Sequence, residues 1–239
     1  MNTNFKPKLV VGILGGMGPY ATSDFFNKIL HLTPAKKDWN HLRLIIDNNP
    51  HIPSRSMAYE GIGPSPIEEM IESCKKLEEY PSDIIAIPCN SASYFIPAVQ
   101  KEIDIPILNI VEITARQIKS KVHPGSRIAV LGGRITYNEK LYKQYIEREG
   151  FTYIDHNEEA QTTITSFIEA IKKGSSLDNE LFSKFLAEYS SIYKPDAIIL
   201  GCTEFSCLEN IDNPTRMIII DSSTELARHI VNLAYGHSK

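Results

Sequence analysis

The strongest constraint on the fold is that the chain repeats itself. Leu14-Gly15-Gly16 recurs as Leu131-Gly132-Gly133, and Asp83-Ile84-Ile85-Ala86-Ile87-Pro88-Cys89-Asn90-Ser91 recurs as Asp196-Ala197-Ile198-Ile199-Leu200-Gly201-Cys202-Thr203-Glu204, at offsets of 117 and 113 residues. Two landmarks matched in order at nearly the same offset imply two units of similar topology. Each unit opens with a strand ending in Gly-Gly and later places a cysteine just beyond another strand.

The hydrophobic pattern says what these units are built from. Short β-branched runs at Leu9–Leu14, Leu42–Asp47, Asp83–Ile87, Ile105–Ile110, Arg127–Leu131, Ala197–Leu200 and Met217–Ile220 read as buried strands. Longer amphipathic stretches lie between them. Ser65–Tyr80 has Pro66 in its first turn with Glu68 and Glu69 nearby, and Asn138–Glu149 runs up to Gly150. Such alternation predicts an α/β fold of two pseudo-symmetric domains, each a parallel sheet flanked by helices. The first is expected over residues 1–113 and the second over residues 114–214. A chain of 239 residues, 42% of them hydrophobic, is long enough to build both.

The charge balance of 25 basic and 29 acidic side chains gives no positive field of the kind that holds nucleic acid. The apolar stretch after Lys8 is interrupted by Gly12, Gly15 and Gly16, too short for a membrane span and unlike a signal peptide, so a cytoplasmic protein without a membrane partner is expected. The cysteines, at 74, 89, 202 and 207, show no CxxC spacing and no zinc-type histidine cluster. No metal site and no disulfide are expected.

Ligands of open parallel sheets bind beyond the carboxyl ends of the strands, where Cys89 and Cys202 both fall. Each is followed by a small polar residue able to open a helix, whose dipole favours thiolate and whose free N–H groups can hold a carboxylate. If the two halves pack face to face, with the active site in the interdomain cleft, the thiols approach one molecule from opposite sides. One can then deprotonate a stereocentre and the other reprotonate it. Cys74 and Cys207 have no counterpart in the other half and read as inert core residues.

Two further segments carry signal. Gly12-Ile13-Leu14-Gly15-Gly16-Met17-Gly18-Pro19 lacks the G-x-G-x-x-G spacing of a dinucleotide fingerprint and reads as a tight turn that lets substrate approach the backbone. The turn-rich stretch 47–55 ends in Arg55, whose planar fork suits a carboxylate; an exposed surface arginine is the alternative.

With these residues in view, the sequence resembles the aspartate/glutamate racemase family, most closely its aspartate racemase branch. The resemblance rests on Gly12–Pro19 with Ala21-Thr22, the Asn49-Pro50-x-Ile52-Pro53-x-Arg55 loop, Pro88-Cys89-Asn90-Ser91-Ala92, Ile105-Pro106-Ile107-Leu108 and Gly201-Cys202-Thr203-Glu204. It implies a cofactor-independent amino-acid racemase, commonly a homodimer, using Cys89 and Cys202 as two bases with neither pyridoxal phosphate nor metal. It also implies that residues 215–239, the last strand and helix, return to the first domain. By the same resemblance Met17, Asn90, Ser91, Ala92, Thr136, Thr203 and Glu204 line the substrate, and Arg55 takes the side-chain carboxylate of aspartate or glutamate. Lys172, with Lys173 beside it as the alternative, is a second cationic contact. Ser91 and Ser93 stand where the family usually has threonine and histidine.

Competing readings remain open. Related folds act on dicarboxylates as isomerases or decarboxylases. A non-catalytic module could close on an acidic amino acid and signal to a partner, although no separate output domain is evident. A redox pair formed by Cys89 and Cys202 is disfavoured, because facing strand ends should leave room for substrate between the sulfurs.

Overall fold

The computed structural model describes residues 7–173, 179–208, 211, 213–215 and 217–236. The chain divides into two compact units, one holding the chain up to Ile110 and again from Ser223, the other holding Val111–Ser222. Each unit contains one four-stranded, wholly parallel sheet flanked by helices.

In the first unit β1 (Val10–Gly15), β2 (Arg43–Asn48), β3 (Ile84–Ala86) and β4 (Ile107–Leu108) run in the order β2-β1-β3-β4. In the second, β5 (Arg127–Gly132), β6 (Thr152–Ile154), β7 (Ala197–Gly201) and β8 (Ile218–Asp221) run in the order β6-β5-β7-β8. The two orders are the same order, so the sequence repeat is a repeat of topology.

The repeat extends to single hydrogen bonds. Val10 N donates to Asp83 Oδ2 at 2.7 Å while Asp83 N donates to Val10 O at 2.8 Å. Arg127 N and Asp196 form the same reciprocal clamp, with the same 2.7 and 2.8 Å distances. An aspartate just ahead of the third strand thus pins the start of the first strand in each unit, satisfying a backbone donor that the ladder leaves open.

Parallel strands covered by helices on both faces lose their polar alternation. β7 is buried along its whole length, with Ile198 and Leu200 in a cluster that includes Phe182, Leu186 and Phe205. Gly201 ends that strand because a Cβ there would lie 2.7 Å from Val130 Cγ1.

Three expectations need correction. β6 was not foreseen: Thr152-Tyr153-Ile154 is too short to show a period, although the repeat demands a counterpart of β2. The last strand does not return to the first sheet; β8 pairs with β7, and only the chain from Ser223 onward belongs to the first unit. The boundaries therefore fall at 110/111 and 222/223 rather than 113/114 and 214/215. Finally, Asn138–Glu149 is not one helix: Arg134–Asn138 ends at a turn in which Lys140 takes φ 47°, and Lys143–Arg148 follows. Among the described residues no helix is long and apolar enough to cross a membrane.

Candidate active site

In the first unit, two turns meet at the carboxyl end of the sheet. Gly16 has φ +86°, and a Cβ there would lie 2.3 Å from the Asn49 backbone, so the β1 turn presses directly on the loop after β2. The Asn49 side chain ties that loop down, donating to Glu69 Oε1 at 2.8 Å and Ser73 Oγ at 3.0 Å. Arg55 begins the short helix Arg55–Tyr59, which Ser54 caps through Met57 N. Its Nη1 donates to the carbonyls of Ile52 and Pro53 at 3.2 and 3.0 Å, and its Nη2 to the carbonyl of Met17 at 3.3 Å. Met17 and Arg55, 38 residues apart, are thus brought together. Arg55 Nε is buried with no hydrogen-bond acceptor, and among the described residues no carboxylate pairs with the guanidinium. Dipoles hold this cation in place and leave its charge uncompensated.

Cys89 lies beyond β3, its N–H turned back onto Ile87 O at 2.8 Å, and is buried with Asn90 and Ala92; Ser91 is half-buried. Ser93, in the position of the family histidine, is also buried, and its Oγ has no hydrogen-bond partner.

In the second unit Cys202 follows β7 and its thiol donates to Glu204 Oε2 at 2.9 Å. Glu204 is a buried carboxylate, 6% exposed, whose Oε1 receives no hydrogen bond and lies 3.9 Å from Lys172 Nζ. Between the two candidate lysines, Lys172 is the one that reaches Glu204. Thr203 is buried beside them. Thr136, in the helix Arg134–Asn138, is 2% exposed and its Oγ1 has no hydrogen-bond partner. Its methyl explains the glycine at the end of β5, since a Cβ on Gly132 would lie 2.6 Å from Thr136 Cγ2.

The helical segments expected beyond the two thiols differ in length. Beyond Cys89 the 3-10 turn Ser91–Tyr94 runs on through the short helix Ile96–Val99 to Glu102, whereas beyond Cys202 there is a single 3-10 turn, Phe205–Cys207. A macrodipole requires several turns of aligned peptides, and the lone turn beyond Cys202 supplies little of one. Cys74 behaves as expected of a core residue: burial foremost, then the charges of Glu78 and Asp47, pushes its thiol up to about 12.

A profile of the Asp/Glu/hydantoin racemase family matches residues 14–230. The chain belongs to this family of racemases. It is 30% identical over 237 residues to a broad-specificity amino-acid racemase of Bacillus subtilis (strain 168), covering 95% of this chain and 99% of that one. Among solved structures, an aspartate racemase of Picrophilus torridus matches at 26% identity and a TM-score of 0.77, covering 95% of this racemase and 94% of that chain. Glutamate racemase RacE1 from Bacillus anthracis shares the fold at 18% identity and a TM-score of 0.66, covering 97% of this chain and 84% of that chain.

Sequence reasoning missed one group in the racemase's second unit. Gln161 and His156, both buried, link β6 and the following helix, Glu158–Lys172, to the carbonyl of Gly132. The signal was present: Gln161 shares a helix face with Ile164 and Ile168, so a polar side chain interrupts an apolar stripe.

Proposed function

We propose that this racemase interconverts the L and D forms of an acidic amino acid, aspartate or glutamate, using Cys89 and Cys202 as the two bases and no cofactor. The observation that carries this reading is the equivalence of the two cysteines, each just past the third strand of a sheet with the same strand order. Inversion at carbon needs one group on each face of the stereocentre. The thiolate of one cysteine takes the α-proton, leaving a carbanion. The thiol of the other gives its proton from the opposite face, so the two sulfurs exchange protonation states in each turnover.

Arg55 supports an acidic substrate, because a cation held by three carbonyls and lacking a carboxylate is ready to receive one. Asn90, Ser91, Ala92, Thr136, Thr203, Glu204 and the Met17 backbone would line the remaining substrate groups, with Lys172 as a second cation. The Bacillus subtilis relative favours a second reading, broad specificity among amino acids. A homodimer and a cytoplasmic location accompany the proposal by family likeness.

The test is incubation of purified protein in D₂O with a panel of L-amino acids, reading α-deuteration and chiral composition together. Exchange with inversion, fastest for aspartate or glutamate, is expected. Equal rates on neutral amino acids would favour the second reading, and no exchange on any would refute racemisation.

A further inference from the structure

We propose that His156 and Gln161 are positioning residues that hold the Gly132–Thr136 turn in the shape substrate requires, His156 acting through the Gln161 amide. This rests on the reading of Thr136 as a substrate contact.

The hydrogen bonds fix the orientation of the amide and place a proton on His156 Nε2, and burial, which disfavours the charged ring, selects its neutral form. Gln161 faces the carbonyl of Gly132 at 2.9 Å, which only accepts, so its Nε2 must point there and its Oε1 must point away. Oε1 lies 3.0 Å from His156 Nε2, which must therefore carry the proton. His156 Nδ1 is left as an acceptor for the Tyr189 hydroxyl at 2.9 Å. The second amide proton reaches Thr165 Oγ1 at 3.1 Å. A neutral, Nε2-protonated imidazole satisfies every member, whereas the other tautomer would set a lone pair against Oε1.

The imidazole also grips the far side of the turn. The Tyr137 ring, next to Thr136, stacks on it with centroids 4.9 Å apart, and the Tyr137 hydroxyl donates to His156 O at 3.1 Å. Tyr189 and Tyr193 meet the ring edge-on. The charged neighbours are Asp155 and Glu158, which are paired with Lys140 and Arg134 respectively. Burial outweighs both carboxylates and the Gln161 bond, holding His156 below the ordinary histidine pKa.

The first unit shows why such a device is needed. There the corresponding turn holds itself, since Thr22 Oγ1 accepts from Gly16 N at 2.9 Å and donates to Gly18 O at 3.0 Å. In the second unit the threonine hydroxyl makes no such bonds and is left for a ligand. The bond from Gln161 to Gly132 fixes the turn in its stead.

Steady-state kinetics on Gln161→Met and His156→Phe, alongside thermal melts, test the proposal. Gln161→Met should raise KM roughly tenfold, the scale of one lost hydrogen bond, with kcat nearly unchanged. His156→Phe keeps the stacking and should raise KM by a smaller factor. An unchanged KM in either variant, or a kcat that falls only with the folded fraction, would overturn it. Nitrogen NMR of the wild-type protein needs no variant to fold: a neutral, Nε2-protonated His156 at pH 6.5 supports the proposal, and the Nδ1-protonated form or an imidazolium refutes it. Absence of α-exchange by the wild-type protein would instead count against the racemase mechanism, leaving the NMR result to judge His156.

Discussion

The amino ends of the two sheets are nearly copies of one another, whereas their carboxyl ends have diverged. Asp83 and Asp196 clamp Val10 and Arg127 with the same pair of bonds at the same lengths. At the other end, the first unit carries Arg55 on a loop tied down by Asn49, and the second carries Glu204 beside Cys202 with Lys172 near it. Asn90-Ser91 after one thiol is matched by Thr203-Glu204 after the other. The contrast is the one the proposed two-base mechanism calls for: the clamps serve folding and are needed twice, while in that mechanism the two strand ends would meet different faces of a chiral ligand. The thiols are kept at the carboxyl ends of both units, along with the Gly-Gly strand ends and a threonine packed on each.

The largest expected effect breaks that shared feature. Cys89→Ala and Cys202→Ala should each reduce racemisation by ~100-fold or more, the scale of losing one general acid–base group. Circular dichroism should show the fold intact in both. Cys74→Ala is the control and should stay near wild-type activity, because a thiol pushed up to about 12 is neither thiolate nor nucleophile at neutral pH. A Cys89 or Cys202 variant as active as the Cys74 control would remove the two-base mechanism.

The α/β class and the duplication were legible because they leave marks on consecutive residues: β-branched runs, Gly-Gly ends, an aspartate and a cysteine at fixed places. Family membership was legible from the same motifs. What stayed hidden depends on contacts between distant residues. Thr152–Ile154 is a strand only because β5 is beside it, and β8 stays with the second sheet because it pairs with β7 along four residues. The break near Lys140 lies inside a stretch of good helix formers, and local propensity gives no warning of it. The Gly132–Gln161–His156–Tyr189 chain joins a strand, two helices and the loop after β6, so only the polar interruption of an apolar helix face hinted at it.

The next effect sharpens the difference between the two cationic groups. Arg55 is half-buried, fixed by carbonyls and without a carboxylate, whereas Lys172 is half-exposed and already near Glu204. Arg55→Ala should weaken kcat/KM for an acidic amino acid by ~2–5 kcal/mol, the cost of leaving a desolvated charge pair broken, with far less effect on a neutral substrate. Lys172→Ala should cost about 1 kcal/mol or less, since solvent screens a half-exposed pair. Equal losses for acidic and neutral substrates in Arg55→Ala would show that Arg55 does not select the side chain.

The smallest effect separates two threonines that occupy similar places against a strand-end glycine. Thr22 packs on Gly15 and spends its hydroxyl within its own turn; Thr136 packs on Gly132 and has a buried hydroxyl with no protein partner. Valine keeps the shape of threonine and removes the hydroxyl. Thr22→Val would leave the buried Gly16 N–H without an acceptor and should lower unfolding free energy by about 1–3 kcal/mol. Thr136→Val removes a polar atom that no protein group satisfies, so stability should hold or rise slightly, while KM increases by the loss of one bond to substrate, about 1–3 kcal/mol if the acceptor is a carboxylate. Chemical denaturation and steady-state kinetics on the pair would therefore give opposite patterns, stability without affinity in one and affinity without stability in the other. Should Thr136→Val lose stability as Thr22→Val does and leave KM untouched, the two turns would be equivalent supports, and the second would have no part in holding substrate.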